Sequence, residues 1–162
     1  MTRRLEHDLT YDAPLAEVAA MLADPDFRAE VCDQLGMLRK TVTVTGDAAD
    51  GTLEVVLDQV QAADGVPSFA RKFVGDEIRI VQTERWTSPA EGHIQVAIPG
   101  KPGDMSGTAR LHESGGTTTE SVAMDIKIGI PLVGGKIEGL ISELLLKALR
   151  AENKVGRDYL SR

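Results

Sequence analysis

Gln82 and Glu84 carry the clearest chemical signal in the sequence. Across Glu77–Thr87, the residues Ile78, Ile80, Gln82, Glu84 and Trp86 share one parity. A regular strand therefore sends two polar side chains to the same face as two isoleucines. A carboxyl group on such an apolar inner face has a raised pKa and can serve as acid or base. A β-bulge near Val81 would instead turn both residues outward, and bulges are common where sheets curve. Trp86 would either floor a pocket or cover one end of the core. His7 alternates with its neighbours on the same side as Leu5, Leu9 and Tyr11. An imidazole there would orient a ligand or act as a base, or else be a hydrogen-bonded core or rim histidine.

The other chemistry-bearing residues form no constellation. His93, His112 and Cys32 are scattered, and neither an HExxH nor a paired CxxC occurs, so no metal site is expected. Gly129–Lys136 approaches a phosphate loop, but Gly135 stands where that motif needs Lys and Lys136 where it needs Ser or Thr. There is no GxSxG, and sequence alone assigns Ser106 no histidine partner. Hence no catalytic residue, metal or cofactor is expected from motifs.

These residues must be positioned by a chain dominated by its C-terminal stretch, Gly134–Leu160, which runs without proline. Such a run makes roughly 40 Å of helix. Ile137, Leu140, Ile141, Leu144, Ala148, Ala151, Val155 and Tyr159 fall on one face, with Lys136, Glu143, Lys147, Arg150, Asn153 and Arg157 opposite. Leu145, Leu146 and Leu149 lie off the main stripe, where they pack on neighbouring helices or mark a dimer contact.

Upstream, Leu5–Tyr11 reads as a first strand, and Asp12 is placed to cap a helix carrying Leu15, Val18, Ala19 and Leu22. Asp24-Pro25 breaks that helix; a second, Asp26–Leu35, presents Phe27, Val31 and Leu35 before Gly36. Strands follow around Val42–Val44, Leu53–Leu57, Glu77–Thr87, Ile94–Ile98, Met105–Glu113 and Val122–Ile130. Ala62–Val74 is ambiguous, with a short helical turn expected after Pro67. The order is β-α-α-β6-α. Short turns favour antiparallel pairing, and the long amphipathic helix requires a sheet curved around it. One α+β domain spanning residues 1–162 is expected.

Composition narrows the function classes. The 162 residues carry a net charge of −7 with no basic face, which argues against nucleic acid or an anionic membrane as main partner. Only one Trp, two Tyr and three Phe are present, so the core must be aliphatic. The single Cys32 excludes an internal disulfide and suits a reducing cytoplasm. Arg3 and Arg4 are not followed by an apolar run, and no stretch is apolar enough to span a bilayer. A cytoplasmic protein, monomeric or weakly dimeric, is expected.

The order of elements resembles the helix-grip fold of the START-like (SRPBCC) superfamily, which includes START lipid-transfer domains, the birch pollen allergen family and polyketide cyclases. The junction Ile130-Pro131-Leu132-Val133-Gly134-Gly135-Lys136-Ile137-Glu138, with Gly75-Asp76-Glu77-Ile78 and the Trp86 strand, is similar to an actinobacterial family of unknown function within it. The resemblance implies a curved antiparallel sheet of about seven strands around the C-terminal helix, with a cavity between them for a small hydrophobic molecule. It supplies no catalytic motif and no substrate.

Strand parity then gives the expected lining. From the sheet come His7, Gln82, Glu84, Trp86, Ile94, Val96, Leu111, Met124 and Ile126; from the helix come Ile137, Leu140, Ile141 and Leu144. Three functions fit: carriage of a lipid- or polyketide-like ligand, a cyclase-, aromatase- or hydrolase-type enzyme using Glu84 or His7, and a ligand-free interaction module with Leu146 exposed. The first is the expectation.

Overall fold

The computed structural model describes residues 2–162. Seven strands form one antiparallel sheet: β1 (Thr2–Tyr11), β2 (Arg39–Thr45), β3 (Leu53–Ala62), β4 (Glu77–Ser88), β5 (Glu91–Ala97), β6 (Asp104–Ser114) and β7 (Thr117–Lys127). Their spatial order is β1-β7-β6-β5-β4-β3-β2. Consecutive strands from β2 to β7 pair side by side, while β1 and β2 stand at opposite edges. Helices α1 (Leu15–Leu22) and α2 (Pro25–Gln34) bridge those edges. A short helix α3 (Ser68–Val74) links β3 to β4, and α4 (Gly134–Leu160) closes the concave face. This is the helix-grip architecture.

Alternation builds the core. Leu5, Leu9 and Tyr11 of β1, Leu53, Val55 and Leu57 of β3, and Val122, Met124 and Ile126 of β7 are all buried and meet α4 residues Ile137, Ile141 and Val155. Two glycines admit close approach. A Cβ on Gly92 would lie 2.7 Å from the Trp86 indole that covers it, and one on Gly156 would lie 2.6 Å from the Tyr11 ring.

Several local expectations need correction. Asp12 does not cap α1: the helix has no side-chain cap at Pro14, and the Leu15 amide instead donates to Glu113 Oε1 at 2.6 Å, a carboxylate delivered by β6. Asp24 breaks α1 but also caps α2, accepting from the Asp26 amide, so α2 starts at Pro25. The last strand stops at Lys127 rather than continuing to Ile130, because the Ile128 amide turns to the buried Glu138 Oε2 of α4 at 2.7 Å. That strand also begins earlier, at Thr117, which places Glu120 on its inner face.

The ladder between β3 and β4 runs without interruption from Ala62↔Glu77 to Leu53↔Trp86. No bulge occurs near Val81; the irregularity in β4 lies between Trp86 and Ser88, against β5. Gln82 and Glu84 therefore keep the inward parity of Ile78.

Candidate functional site

α2 places Arg28, Val31 and Cys32 on one face, the i, i+3, i+4 spacing of a helical stripe that Leu35 at its C-cap continues. That stripe lies over the inner ends of β3 and β4. Arg28 is 2% exposed and Glu84 4%, and they form a two-pronged ion pair with Nη2–Oε1 at 2.8 Å and Nη1–Oε2 at 2.9 Å. Arg28 Nε donates to the Leu22 carbonyl at 2.8 Å. The same carboxylate accepts from Trp86 Nε1 at 3.0 Å and Gln82 Nε2 at 2.6 Å. Burial pushes the Glu84 carboxyl up, but the Arg28 charge and these donors outweigh it and hold the group below its ordinary value. The expectation of a raised Glu84 pKa is therefore overturned, by a cation that strand parity could not reveal. Glu84 is a satisfied, permanently ionised group.

A second pair of carboxyls lies nearby, Glu120 buried and Glu152 half-buried. Glu120 of β7 is 3% exposed, and its carboxyl lies near enough to that of Glu152 on α4 for the two charges to repel. Two carboxyls so placed disfavour double ionisation. Burial first, then the charges of Glu152 and Glu84, raise Glu120 well above its ordinary value. Burial pushes Glu152 up to about 7, against the opposing pull of Arg28. Among the described residues, three buried side-chain atoms lack a hydrogen-bond partner: Glu120 Oε1, Glu152 Oε1 and the Tyr11 hydroxyl oxygen. Burial, then the Glu152 and Glu120 charges, hold the Tyr11 phenol above its ordinary pKa. Glu152 is thus placed to exchange a proton near neutral pH, whereas Glu84 is not.

Glu152 opens onto a cavity of about 60 Å³ enclosed by α2, α4 and the sheet. Arg28, Gln59 and Gln82 share its polar side; Leu57, Val122, Leu145 and Leu149 belong to its apolar side. Cys32 also lines it, donating to Gln59 Oε1 at 3.4 Å. A second, wholly apolar cavity of about 40 Å³ lies between α3, α4 and β4–β6 and abuts the first at Val96 and Leu145. Between Ile141 and Val155, α4 has no fully buried residue. The middle of the helix stands off the sheet, and the cavities occupy that gap.

Of the residues that parity nominated, Gln82, Ile94, Val96 and Met124 line the first cavity; Val96, Ile137, Leu140, Ile141 and Leu144 line the second. His7 is half-buried on β1 and borders neither cavity. Glu84 and Trp86 sit behind Arg28 and Gln82, and Leu111 and Ile126 are packed in the core. Arg28, Glu120 and Glu152 were missed. Each was legible in principle: Arg28 and Glu152 by helical spacing from Val31 and Ala148, Glu120 by parity with Val122. Leu145 and Leu149 face the first cavity, and Leu146 is half-buried against the core.

With this geometry in place, comparison with known proteins defines the relationship. Residues 6–160 match the family described as protein of unknown function DUF2505. The chain belongs to this family. An uncharacterised protein of Mycobacterium tuberculosis is 28% identical over 166 residues, covering 95% of this chain and 94% of its own. Among solved structures, a Thermus thermophilus protein superposes with TM-score 0.66 at 15% identity, covering 96% of this chain and 95% of its own. The Zhui aromatase/cyclase of Streptomyces sp. R1128 gives 0.59 at 16%, over 98% and 90%. Norcoclaurine synthase of Thalictrum flavum gives 0.60 at 15%, over 98% and 88%. At such identities these structures establish the shared helix-grip fold of this DUF2505 member and nothing of its chemistry. Among its described residues, no helix is long and apolar enough to cross a membrane.

Proposed function

We propose that this protein binds a small, mainly apolar molecule in the gap between the sheet and the middle of α4, with the molecule's polar end at Glu152. The observation that carries this reading is the stand-off of α4. Leu144, Leu145, Leu146 and Leu149 occupy its central turns, yet none is fully buried. A helix so rich in leucine would settle onto the sheet unless something else were to fill the space. Apolar cavities with a few convergent polar groups are the ordinary form of a ligand site.

Volume constrains the reading. The two cavities, about 60 and 40 Å³, are well below the roughly 300–1,000 Å³ of drug-sized sites. Val96 and Leu145 divide them, so a rotamer change at Leu145 merges them along α4. The ligand is therefore slender, or it enters by displacing half-buried leucines.

A second reading, catalysis on that ligand, is favoured by one observation: Glu152 borders the cavity, and burial pushes its carboxyl up to about 7. A carboxyl near pKa 7 is suited to general acid–base work.

Native mass spectrometry of protein purified from its own host tests binding. A persistent added mass, released on denaturation and absent from a cavity-filling Ala148→Phe variant, is the expected result. An unliganded mass for the wild type, with no thermal stabilisation by short-chain alkanes, alcohols or amines, refutes it.

A further inference from the structure

We propose that Gln59 and Gln82 together recognise a neutral, unsubstituted amide, so that the ligand class is a slender aliphatic primary amide. This inference rests on the cavity-binding reading above and names the groups that meet the ligand's polar end.

The case starts from register on the inner face of the sheet. Gln59 of β3 pairs with Ile80 of β4, and Gln82 pairs with Leu57, so the two glutamines are diagonal neighbours across one ladder. Long side chains reach one another at that spacing, roughly 7–8 Å. Both line the first cavity, and Gln59 is only 7% exposed. Helix α2 covers the same spot. Cys32 contacts Gln59, while Arg28, one turn earlier, holds Glu84, and Glu84 holds Gln82. The two amides are thus the ends of a chain of contacts that leaves the sheet, runs through one turn of α2 and returns.

Those neighbours decide which end of each amide is free. An ionised carboxylate can only accept, so Gln82 gives its amide nitrogen to Glu84 Oε2, at 2.6 Å. Its carbonyl oxygen Oε1 has no donor among the described residues. Gln59 Oε1 accepts from the Cys32 thiol at 3.4 Å, which leaves its amide nitrogen Nε2 without an acceptor there. Neither atom is among the sealed side-chain atoms that lack a partner, so both reach open space, and the space the two residues share is the cavity. The cavity therefore offers one free acceptor and one free donor, each anchored by the bond at the other end of its amide.

A primary amide is the complement. Its N–H donates to Gln82 Oε1 and its carbonyl accepts from Gln59 Nε2. The second N–H remains for Glu152, which borders the same cavity. A hydroxyl has one proton to give and cannot serve both acceptors. A carboxylate has none, and no cation is free to offset its charge: Arg28 Nη1 and Nη2 are committed to Glu84, and Nε to the Leu22 carbonyl. An ester accepts from Gln59 and leaves Gln82 unmet.

The test uses the full chain and n-alkanamides of four to six carbons, each compared with the methyl ester of the same acyl chain and the n-alkanol of equal length. Binding is followed by amide chemical shifts and by calorimetry. The expected result has each primary amide bound about tenfold more tightly than its ester or alkanol, the worth of one hydrogen bond. Gln82→Met removes the acceptor while Glu84 keeps Arg28 and Trp86. In that variant the amide falls to the ester's affinity, and the ester is unaffected. Gln59→Met removes the donor that both use and weakens amide and ester by a similar factor. If wild type binds ester or alkanol as tightly as the amide, or the preference survives Gln82→Met, amide recognition is refuted and the cavity reading stands. If none of the three series binds, the cavity reading itself fails.

Discussion

Replacing Glu152 by Gln tests the raised Glu152 carboxyl most directly, through the pH dependence of stability. The Glu152 carboxyl sits near 7 in the folded chain, against an ordinary 4.5 when unfolded. For a carboxyl raised on folding, the native state holds the proton more tightly. Its contribution is complete below about pH 4.5 and is lost as pH rises through about 7. That rise corresponds to about 3 kcal/mol, reduced toward 2 because the side chain is only half-buried. The amide introduced by Glu152→Gln has nearly the same shape and donates a permanent hydrogen bond to the Glu120 carboxylate, so the proton is no longer required. Urea unfolding of both proteins at half-unit steps from pH 4.5 to 8.5 measures this. Near pH 4.5 the two should agree within about 1 kcal/mol, the size of one hydrogen bond. By pH 8.5 the variant should be the more stable by about 2–3 kcal/mol. Subtracting the curves removes groups that do not feel Glu152; Glu120, which does, contributes to the difference. A constant difference across the range, or a variant that weakens with pH as steeply as wild type, would refute the pair.

Two further substitutions probe the surrounding structure. Glu84→Gln leaves Arg28 buried without its counter-charge and should cost about 3–5 kcal/mol, lowering the thermal midpoint by roughly 6–20 °C; a loss below about 1 kcal/mol in a calorimetric scan at pH 7 would mean the pair is solvated. Gly156→Ala gains about 1 kcal/mol of helix propensity but drives a Cβ to 2.6 Å from Tyr11 Cε1 and 3.1 Å from Met21 Cε. Overpacking of that kind costs about 1–3 kcal/mol, so a net loss in chemical unfolding is expected; a gain would show that Tyr11 swings away freely.

The elements and their arrangement were legible in the chain before any contact was known, because that information is local and periodic. The 3.6-residue stripe of Gly134–Leu160 and the alternation of Leu53–Leu57 and Val122–Ile126 are one-dimensional patterns, and short turns between strands leave antiparallel pairing as the simplest solution. Parity also put Gln82 and Glu84 inside. What it could not supply was their company. Arg28 and Glu84 are 56 residues apart, and their meeting depends on how α2 lies across the sheet. That contact reverses the sense of the Glu84 pKa. Glu120 and Glu152 come together only because α4 crosses β7 at that depth, and their carboxyl pKa values rise only through that burial and proximity. Local pattern fixes which face a side chain takes; burial and charge pairing, which set its chemistry, depend on residues distant in the chain and are decided by tertiary packing.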